Sequence, residues 1–461
     1  MLVMHKCFDL HKCNNLTSLL RYTPTFITSI LMVCPSSLIA QVANNKNFVN
    51  GILTVIGGAI VHLTFGHFYT LANMTPYILS YIKARVDVNV NEDLKVWLSG
   101  MGYGIQGLSM PLGGFLSKRI DYRFVVALSC LLESGSVALT YFTVSISFPA
   151  VIITYAIMNG AGLGFAYSVV FEVASSFFPE KHALVIGIVV AGFGLGSLAF
   201  TPIQTAYINR ENVKPDETTN LFLDDALIDR VPSTFLILGA ILAGVQVVGI
   251  ALMRKRPEKP SIEITAKEDE KCKRDCSLTN QYFGQTLIKD DQFLTLVVSL
   301  SAVFNCLGRI SWGLIVDKVS FKFPLSLILL AWSILLFTFP HLGVFTGATL
   351  KAIYLIWVAL IFFCLSGTFT IMPSVMKILF GPDNLATNYG FLFNACFAGS
   401  LVIGGILSAV DIKHEFVLKY TACGGVCLLA FCVLVWIKDR NISPKCNLCH
   451  WCSTRCRHLR G

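Results

Sequence analysis

The stretch GFLSKRIDYR occupies residues 114–123, and the related stretch GLIVDKVSFK occupies residues 313–322. Each begins with a glycine and an apolar pair, carries a basic residue five positions after the glycine, and ends with an aromatic and a basic residue. Each also connects two long apolar runs. A connecting loop that occurs once in each half of a chain indicates that the two halves are internal repeats of one another.

The apolar runs around these loops are long enough to cross a bilayer. Crossing the hydrocarbon takes about 20 apolar residues as a helix, and backbone groups in lipid must bond within the segment, so the runs are predicted to be helices. They lack the period-2 alternation of a membrane β-barrel. Eleven spans, six and then five, are predicted over 51–81, 96–116, 123–143, 149–177, 183–208, 233–253, 291–316, 322–340, 349–377, 385–410 and 415–437.

The composition supports an all-α polytopic membrane protein. Apolar residues make up 54% of the 461 residues and charged residues 14%, whereas soluble domains carry about 25% charged residues. A disordered chain would need low hydrophobicity. In such a protein the net charge of +9 concerns the loops and the cytoplasmic face, so it does not indicate a nucleic-acid partner.

Charge in the loops predicts the orientation and the division of the chain. Basic residues exceed acidic ones in 1–50, 117–123 and 438–461, and the linker 254–290 opens with RKRPEK. The positive-inside rule therefore places these segments, and the N-terminus, in the cytoplasm, and the acidic loop 208–232 outside. The predicted parts are a cytoplasmic segment 1–50, a six-helix bundle 51–253, a cytoplasmic linker 254–290, a five-helix bundle 291–437 and a basic, cysteine-rich cytoplasmic tail 438–461.

The number of spans conflicts with this orientation. Six spans return the chain to the cytoplasm at residue 254, so one more span would place 317–322 outside, although its charges favour the inside. The polar linker 254–290 offers no further span. Either this protein is an exception to the positive-inside rule, or the chain lacks one helix. A splice variant, or a gene annotation that omits one exon, would produce such a chain.

The 16 cysteines do not form the framework of a secreted protein, because seven lie in apolar spans and others in loops predicted to face the reducing cytosol. The tail spacing C-x2-C-x2-C-x3-C, at Cys446, Cys449, Cys452 and Cys456, is that of an iron–sulfur loop without its proline. Lipid attachment or contact, adventitious metal and a tail without function remain alternatives. No metal or cofactor is predicted.

Four further stretches carry a resemblance, namely GGAIVHLTFGHFYTLANMTPYI (57–78), SSFFPEKHALVIGIVVAGFGLGSLAFTP (175–202), LGRISWGLIVDK (307–318) and NYGFLFNACFAG (388–399). With the repeated loop, they make 51–437 resemble the major facilitator superfamily, and within it the oxalate:formate antiporter branch, next to the monocarboxylate transporters. The resemblance implies a two-bundle fold that alternates access to a central site. It also implies that the absent helix is the seventh.

Arg309 is the most informative single residue. It lies about 10 Å inside the span 291–316, where a charge normally faces a cavity or a partner. A guanidinium binds a carboxylate with two parallel hydrogen bonds, and the resemblance implies that Arg309 is the substrate-carboxylate residue. The alternatives are snorkelling to the interface or pairing with a carboxylate of another helix.

The resemblance implies other substrate-site residues, with departures. Cys396 stands where the antiporter pattern has a lysine, and a single cation suits a monocarboxylate better than oxalate. Asn305 stands where monocarboxylate transporters have an aspartate, one turn before Arg309, and an amide carries no proton. A bond to a neighbouring helix is the alternative role for Asn305. Tyr69 and His67 of the first span complete the predicted site, with core packing for Tyr69 and an interhelical hydrogen bond for His67 as alternatives.

The remaining charged groups are assigned to gating and coupling. Glu133 and Glu172 lie within spans and are candidate coupling groups, although Glu172, near a helix end, is equally suited to a bond between helices. The repeated loops contribute the gating candidates Lys118, Arg119, Arg123 and Asp317, for which topogenic charge alone is the alternative.

Together these observations predict a secondary transporter of small, monocarboxylate-like organic anions in a plasma or organelle membrane. Proton or counter-anion coupling and contact with membrane lipid are expected. No Walker A, H-E-x-x-H or G-x-S-x-G motif is present, so neither ATP-driven transport nor an enzyme is indicated. The alternative is a non-transporting truncated isoform that senses anions or binds partners.

Overall fold

The computed structural model describes residues 46–90, 95–213, 215–216, 221–255, 291–319, 321–395 and 416–436. The chain divides into the units Met1–Ile52 and Leu53–Gly461. Of the first unit, only the opening turns of the first helix are described. Cys396, the linker from residue 256 to 290 and the cysteine-rich tail from residue 437 onward lie outside the described residues.

The regular elements of the described residues are helical. The first half contains α1 (Lys46–Phe65), α2 (Leu71–Arg85), α3 (Lys95–Arg119), α4 (Tyr122–Thr143), α5 (Phe148–Val151), α6 (Asn159–Ser176), α7 (His182–Ile208), α8 (Asp225–Ile228) and α9 (Val231–Leu252). The second half contains α10 (Asp291–Lys318), α11 (Lys322–Thr338), α12 (Gly347–Phe380), α13 (385–395) and α14 (Phe416–Trp436).

Eight helical segments of the described residues are long and apolar enough to cross a membrane. They are Lys46–Thr70, Tyr122–Thr143, Phe148–Ser176, Pro179–Ile208, Asp225–Leu252, Ser299–Lys318, Lys322–Val344 and Gly347–Phe380. The all-helical architecture is as predicted, while the total of eleven spans remains a prediction.

Two of the predicted spans contain irregular turns. Between α1 and α2 the chain forms a 3-10 helix, Gly66–Thr70, and between α5 and α6 it forms a π-helix, Ile152–Met158. Such interruptions inside long helices often occur at functional sites. Both of them lie beside the buried charges described below.

The two halves meet along α7 and α10, where glycines allow close approach. A Cβ atom on Gly187 of α7 would collide with the carbonyl oxygen of Arg309, and one on Gly313 of α10 would lie 2.6 Å from the carbonyl oxygen of Ala183. Small residues of this kind let membrane helices cross at short distance. This crossing places Arg309 at the boundary between the halves.

The two helices that flank the linker, α9 before it and α10 after it, meet the linker at opposite ends of the bundle. The guanidinium of Arg123 donates to the carbonyl of Met253 at 3.3 Å, so α9 ends beside the loop between α3 and α4. That loop shares its end of the bundle with Asp317, through contacts described below. Since α10 has 28 residues, it is about 42 Å long, and Asp291 lies at the other end.

Candidate functional site

Arg309 is completely buried, with 0% of its surface exposed. Its Nε donates to Asn305 Oδ1 at 2.7 Å, one turn earlier on α10, and its Nη1 donates to the carbonyl of Val190 on α7 at 3.0 Å. Gly194 of α7 makes room for this arrangement, since a Cβ there would lie 2.8 Å from Asn305 Oδ1. Both halves therefore hold the side chain in place.

Aromatic side chains surround the guanidinium. Its central carbon lies 4.9 Å from the ring centroid of Phe369 and 5.7 Å from that of Phe193, which are distances of cation–π contacts. The hydroxyl of Tyr69 lies 3.5 Å from Nη2, and the hydroxyl of Tyr167 also contacts the guanidinium. The surroundings of the guanidinium are therefore mostly apolar, and two uncharged hydroxyl groups lie next to it.

Arg309 forms no ion pair with any carboxylate of the described residues. Its hydrogen-bond partners there are an amide, a backbone carbonyl and phenols, which are all uncharged. A buried charge without a counter-charge is expensive in a low-dielectric interior. The arrangement is therefore suited to binding an anion.

A second buried cluster joins the 3-10 helix after α1 to α4 and α9. Nδ1 of His67, in the 3-10 helix, lies 2.6 Å from Glu133 Oε1 of α4, and both side chains have 0% exposure. Gln246 of α9 donates a short hydrogen bond to Glu133 Oε2 and a second bond, at 3.2 Å, to Thr64 Oγ1. Both oxygens of the carboxylate thus face nitrogen atoms.

Several bonds between the halves lie at the end of the bundle predicted to be cytoplasmic. Asp317, at the end of α10, accepts from the backbone N–H groups of Ala183 and Leu184 at 3.0 and 2.8 Å. Carboxylates are favourable at such a helix N-terminus. By this contact the last turn of α10 binds the first turn of α7.

A related contact occurs at the start of α13. Glu172, near the end of α6, accepts from the backbone N–H of Ala386 at 3.1 Å, and Lys118 of α3 donates to the Asn384 side chain. Thus both repeated loops contribute a side chain to the contact between the halves. These bonds link the two halves at the end of the bundle predicted to be cytoplasmic.

The structure brings together part of the predicted site. Asn305 and Tyr69 contact Arg309, whereas His67 faces Glu133 instead. Glu172, expected either to couple or to bond a helix, takes part in a bond between helices. Arg123 contacts Met253 within its own half, and Arg119 is exposed, with no hydrogen bond or ion pair to the described residues.

Sequence reasoning missed several residues around these charges. Tyr167, Phe193, Phe369 and the Val190 carbonyl contact Arg309, and Gln246 completes the Glu133 cluster. Each is an ordinary residue of an apolar span, so only its proximity to a buried charge marks it. Among the described residues, no group of three or more His, Cys, Asp or Glu side chains is placed to hold a metal.

Comparison with known proteins identifies the architecture. Residues 60–289 match the Major Facilitator Superfamily. The human organic anion transporter MFSD10 (TETRAN) has the same fold, with a TM-score of 0.59 at 14% identity over 85% of this chain and 100% of that one. The chain belongs to the major facilitator superfamily. This multi-pass membrane transporter is therefore not an enzyme, as the sequence predicted.

The relatives of this superfamily member include a pyruvate carrier and an oxalate:formate antiporter. The chain is 25% identical over 479 residues to apicoplast pyruvate carrier 1 of Toxoplasma gondii, covering 82% of this chain and 86% of the carrier. It is 24% identical over 370 residues to the oxalate:formate antiporter of Oxalobacter formigenes, covering 74% and 81%. The resemblance to the oxalate:formate antiporter branch is confirmed.

Proposed function

We propose that this superfamily member is a secondary transporter of small monocarboxylates and that Arg309 binds the substrate carboxylate. The observation that carries the proposal is the buried Arg309 guanidinium, which lies between the halves and has only uncharged partners among the described residues. The names of the relatives, a pyruvate carrier and an oxalate:formate antiporter, support the same substrate class.

The hydrogen bonds of Arg309 leave a suitable edge for a carboxylate. A guanidinium has five N–H donors, and Asn305 and Val190 take one each from Nε and Nη1. The Tyr69 hydroxyl at 3.5 Å is a weak partner. A carboxylate that displaces the phenols would gain two charge-assisted bonds.

The number of buried cations favours one carboxylate over two. Within the described residues, Arg309 is the single arginine or lysine in the buried class. A dicarboxylate at this site would leave its second charge uncompensated in a low-dielectric environment. We therefore expect pyruvate, lactate or formate to be favoured over oxalate.

The bonds at the predicted cytoplasmic end provide a gate in this proposal. Opening that end requires release of Asp317 from the start of α7 and of Glu172 and Lys118 from the start of α13. Each bond joins one half to the other, so rocking of the halves breaks them together. Substrate then leaves on that side.

The test is uptake of labelled pyruvate, lactate, formate and oxalate into liposomes that contain the purified protein. Arg309→Gln removes the charge and should abolish uptake. Arg309→Lys keeps the charge but loses the planar pair of donors, and should reduce kcat/KM by roughly 10- to 100-fold, the equivalent of about 1.5–3 kcal/mol.

Arg210→Lys is the matched control, because Arg210 is exposed and stacks on Tyr207. It should transport like the unaltered protein. Unchanged uptake by Arg309→Gln would contradict the proposal.

A second candidate is a non-transporting protein that senses anions or binds a partner. The opposite positions of Met253 and Asp291 favour it, because the polar linker between them is poorly suited to the hydrocarbon. Calorimetry with pyruvate separates the two functions: saturable, Arg309-dependent binding with no uptake supports the sensor, and uptake supports the transporter.

A further inference from the structure

The end of α14 shows at which end of the bundle the cysteine-rich tail 438–461 begins. Nζ of Lys322, at the start of α11, donates to the carbonyl of Val435, in the last turn of α14, at 3.0 Å. Lys322 is the last residue of the second repeated loop, and Asp317 of the same loop binds the first turn of α7. The helix α14 therefore ends at the end of the bundle predicted to be cytoplasmic, and the tail follows it after one residue.

The last turns of α14 present an exposed apolar surface. Trp436 is 88% exposed, Leu429 68% and Val433 55%, and Phe323 at the start of α11 is 62% exposed. On the outside of a membrane protein such side chains face lipid, and tryptophan is enriched where the hydrocarbon meets water. Trp436 therefore marks the membrane surface, two residues before the tail begins.

The tail combines clustered thiols with positive charge. Its cysteines are Cys446, Cys449, Cys452 and Cys456, and they lie among six Lys or Arg residues and one Asp. A basic juxtamembrane segment is attracted to the anionic cytoplasmic leaflet. Cys446 follows Trp436 by ten residues, which span at most about 35 Å when extended, so the thiols remain within reach of the membrane surface. Neighbouring cations also stabilise the thiolate, which is the nucleophilic form of cysteine.

The cysteines of the helices have different surroundings. Cys130, Cys306, Cys364 and Cys427 are buried, and buried structural thiols are inert. Cys432 of α14 is exposed, but it lies one turn inside the apolar span, where a thiolate would be a charge in hydrocarbon. Position thus separates the tail thiols, which can react at the membrane surface, from the thiols of the helices.

A metal site is the main alternative for four neighbouring cysteines. The iron–sulfur loop with this spacing ends in a proline, and Arg457 stands at that position. Structural zinc sites typically separate two pairs of ligands by an intervening loop, whereas the four tail cysteines lie within residues 446–456. A reducing cytosol opposes disulfides between them. Attachment of lipid to thiols on a basic juxtamembrane segment is therefore favoured.

We propose that the tail cysteines are a site of S-acylation, which attaches the tail to the cytoplasmic leaflet beside α14 and α11. The thiolate sulfur attacks the carbonyl carbon of a long-chain acyl-coenzyme A. A thioester bond to cysteine forms as the thioester bond to coenzyme A breaks, and the coenzyme A thiolate takes the proton that cysteine lost. One acyl chain gives reversible membrane binding, whereas two chains, or one chain with a basic patch, give a stable anchor. The proposal does not depend on the proposed function.

The experiment uses the full chain in membranes of eukaryotic cells that express it. Free thiols are blocked with N-ethylmaleimide, thioesters are cleaved with neutral hydroxylamine, and the released thiols are labelled with a polyethylene glycol maleimide. Each acylated cysteine then adds one step in gel migration. The unaltered protein should show between one and four steps that require hydroxylamine. The variant with serine at all four tail cysteines should lose these steps.

Two further variants test the physical basis of the site. Cys432→Ser is the matched control, because this cysteine is exposed on α14 but lies inside the apolar span, and it should keep every step. Combining Lys445→Gln, Arg455→Gln and Arg457→Gln keeps the cysteines but removes three of the six tail cations. This variant should lower the acylated fraction several-fold, because the tail is then held less strongly at the anionic surface.

Three results would overturn the acylation site. They are an unaltered protein without hydroxylamine-dependent steps, the same steps in the variant with four serines, and one zinc or iron ion per purified chain that this variant loses. The first result does not depend on any substitution. The third would identify the tail as a metal site instead.

Discussion

At the scale of single residues, the notable feature is a permanent charge surrounded by neutral groups. The pKa of an arginine is too high for it to lose its proton. Arg309 therefore remains charged when buried, whereas a lysine or histidine can become neutral and avoid the cost of burying a charge. Its amide, carbonyl and phenol partners accept hydrogen bonds from the guanidinium, but they are uncharged and do not compensate its positive charge. No carboxylate of the described residues compensates this charge, which is the reason for proposing an anionic substrate at this position.

Asn305 tests this idea directly. Asn305→Asp would place a carboxylate where Oδ1 now lies, 2.7 Å from Arg309 Nε. The substitution should neutralise the guanidinium internally and raise the KM for pyruvate exchange about tenfold or more. Asn305→Ala removes the bond without adding charge and should raise KM less. An unchanged KM in Asn305→Asp would show that substrate does not compete for this charge.

At the scale of elements, the irregular and small-residue positions determine which side chains meet. The 3-10 turn after α1 points His67 and Tyr69 at different partners. The π-helix before α6 presents Tyr155 to His67, with ring centroids 6.3 Å apart. A 3-10 helix has fewer residues per turn than an α-helix, and a π-helix has more. Either irregularity therefore rotates the side chains that follow it, and in a regular α-helix these residues would face other neighbours.

The crossing of α7 and α10 gives a prediction at this scale. Gly187→Ala would bring a Cβ into the Arg309 carbonyl, whereas Gly135→Ala in α4 has nothing within 4 Å. We expect Gly187→Ala to lower the unfolding free energy by about 1–3 kcal/mol and to reduce transport, measured by the thermal midpoint in detergent and by pyruvate uptake.

Gly135→Ala should leave both quantities unchanged or slightly raise the midpoint, because alanine is the better helix former. Equal effects of the two substitutions would contradict the tight crossing.

At the scale of the whole molecule, the orientation of the second half presents a problem of connection. Met253 and Asp291 lie at opposite ends of the bundle, and the segment between them is polar throughout. The number of spans and the charges of the loops together predict that one helix is missing, and the resemblance to the superfamily implies that it is the seventh. A bundle with that helix would have six spans in each half.

This geometry predicts a longer transcript. Sequencing messenger RNA across codons 250–300 should find a form that inserts about 20 or more apolar residues between codons 254 and 291. In liposomes that longer form should transport faster than the chain described here. Finding only the present sequence in the RNA would contradict the prediction and would favour an exception to the positive-inside rule.

The amino-acid sequence by itself determined the helical membrane architecture and the superfamily, and it located Arg309 within an apolar span. The architecture follows from the length of the apolar runs, and the superfamily follows from the resemblance of the repeated loop and the four quoted stretches; both are local properties of the chain. Only the tertiary structure decided that His67 pairs with Glu133, that Phe193 and Phe369 cover Arg309, and that Glu172 binds the start of α13. Those contacts depend on how helices distant in sequence rotate and cross, and spacing along one helix carries no information about its neighbour.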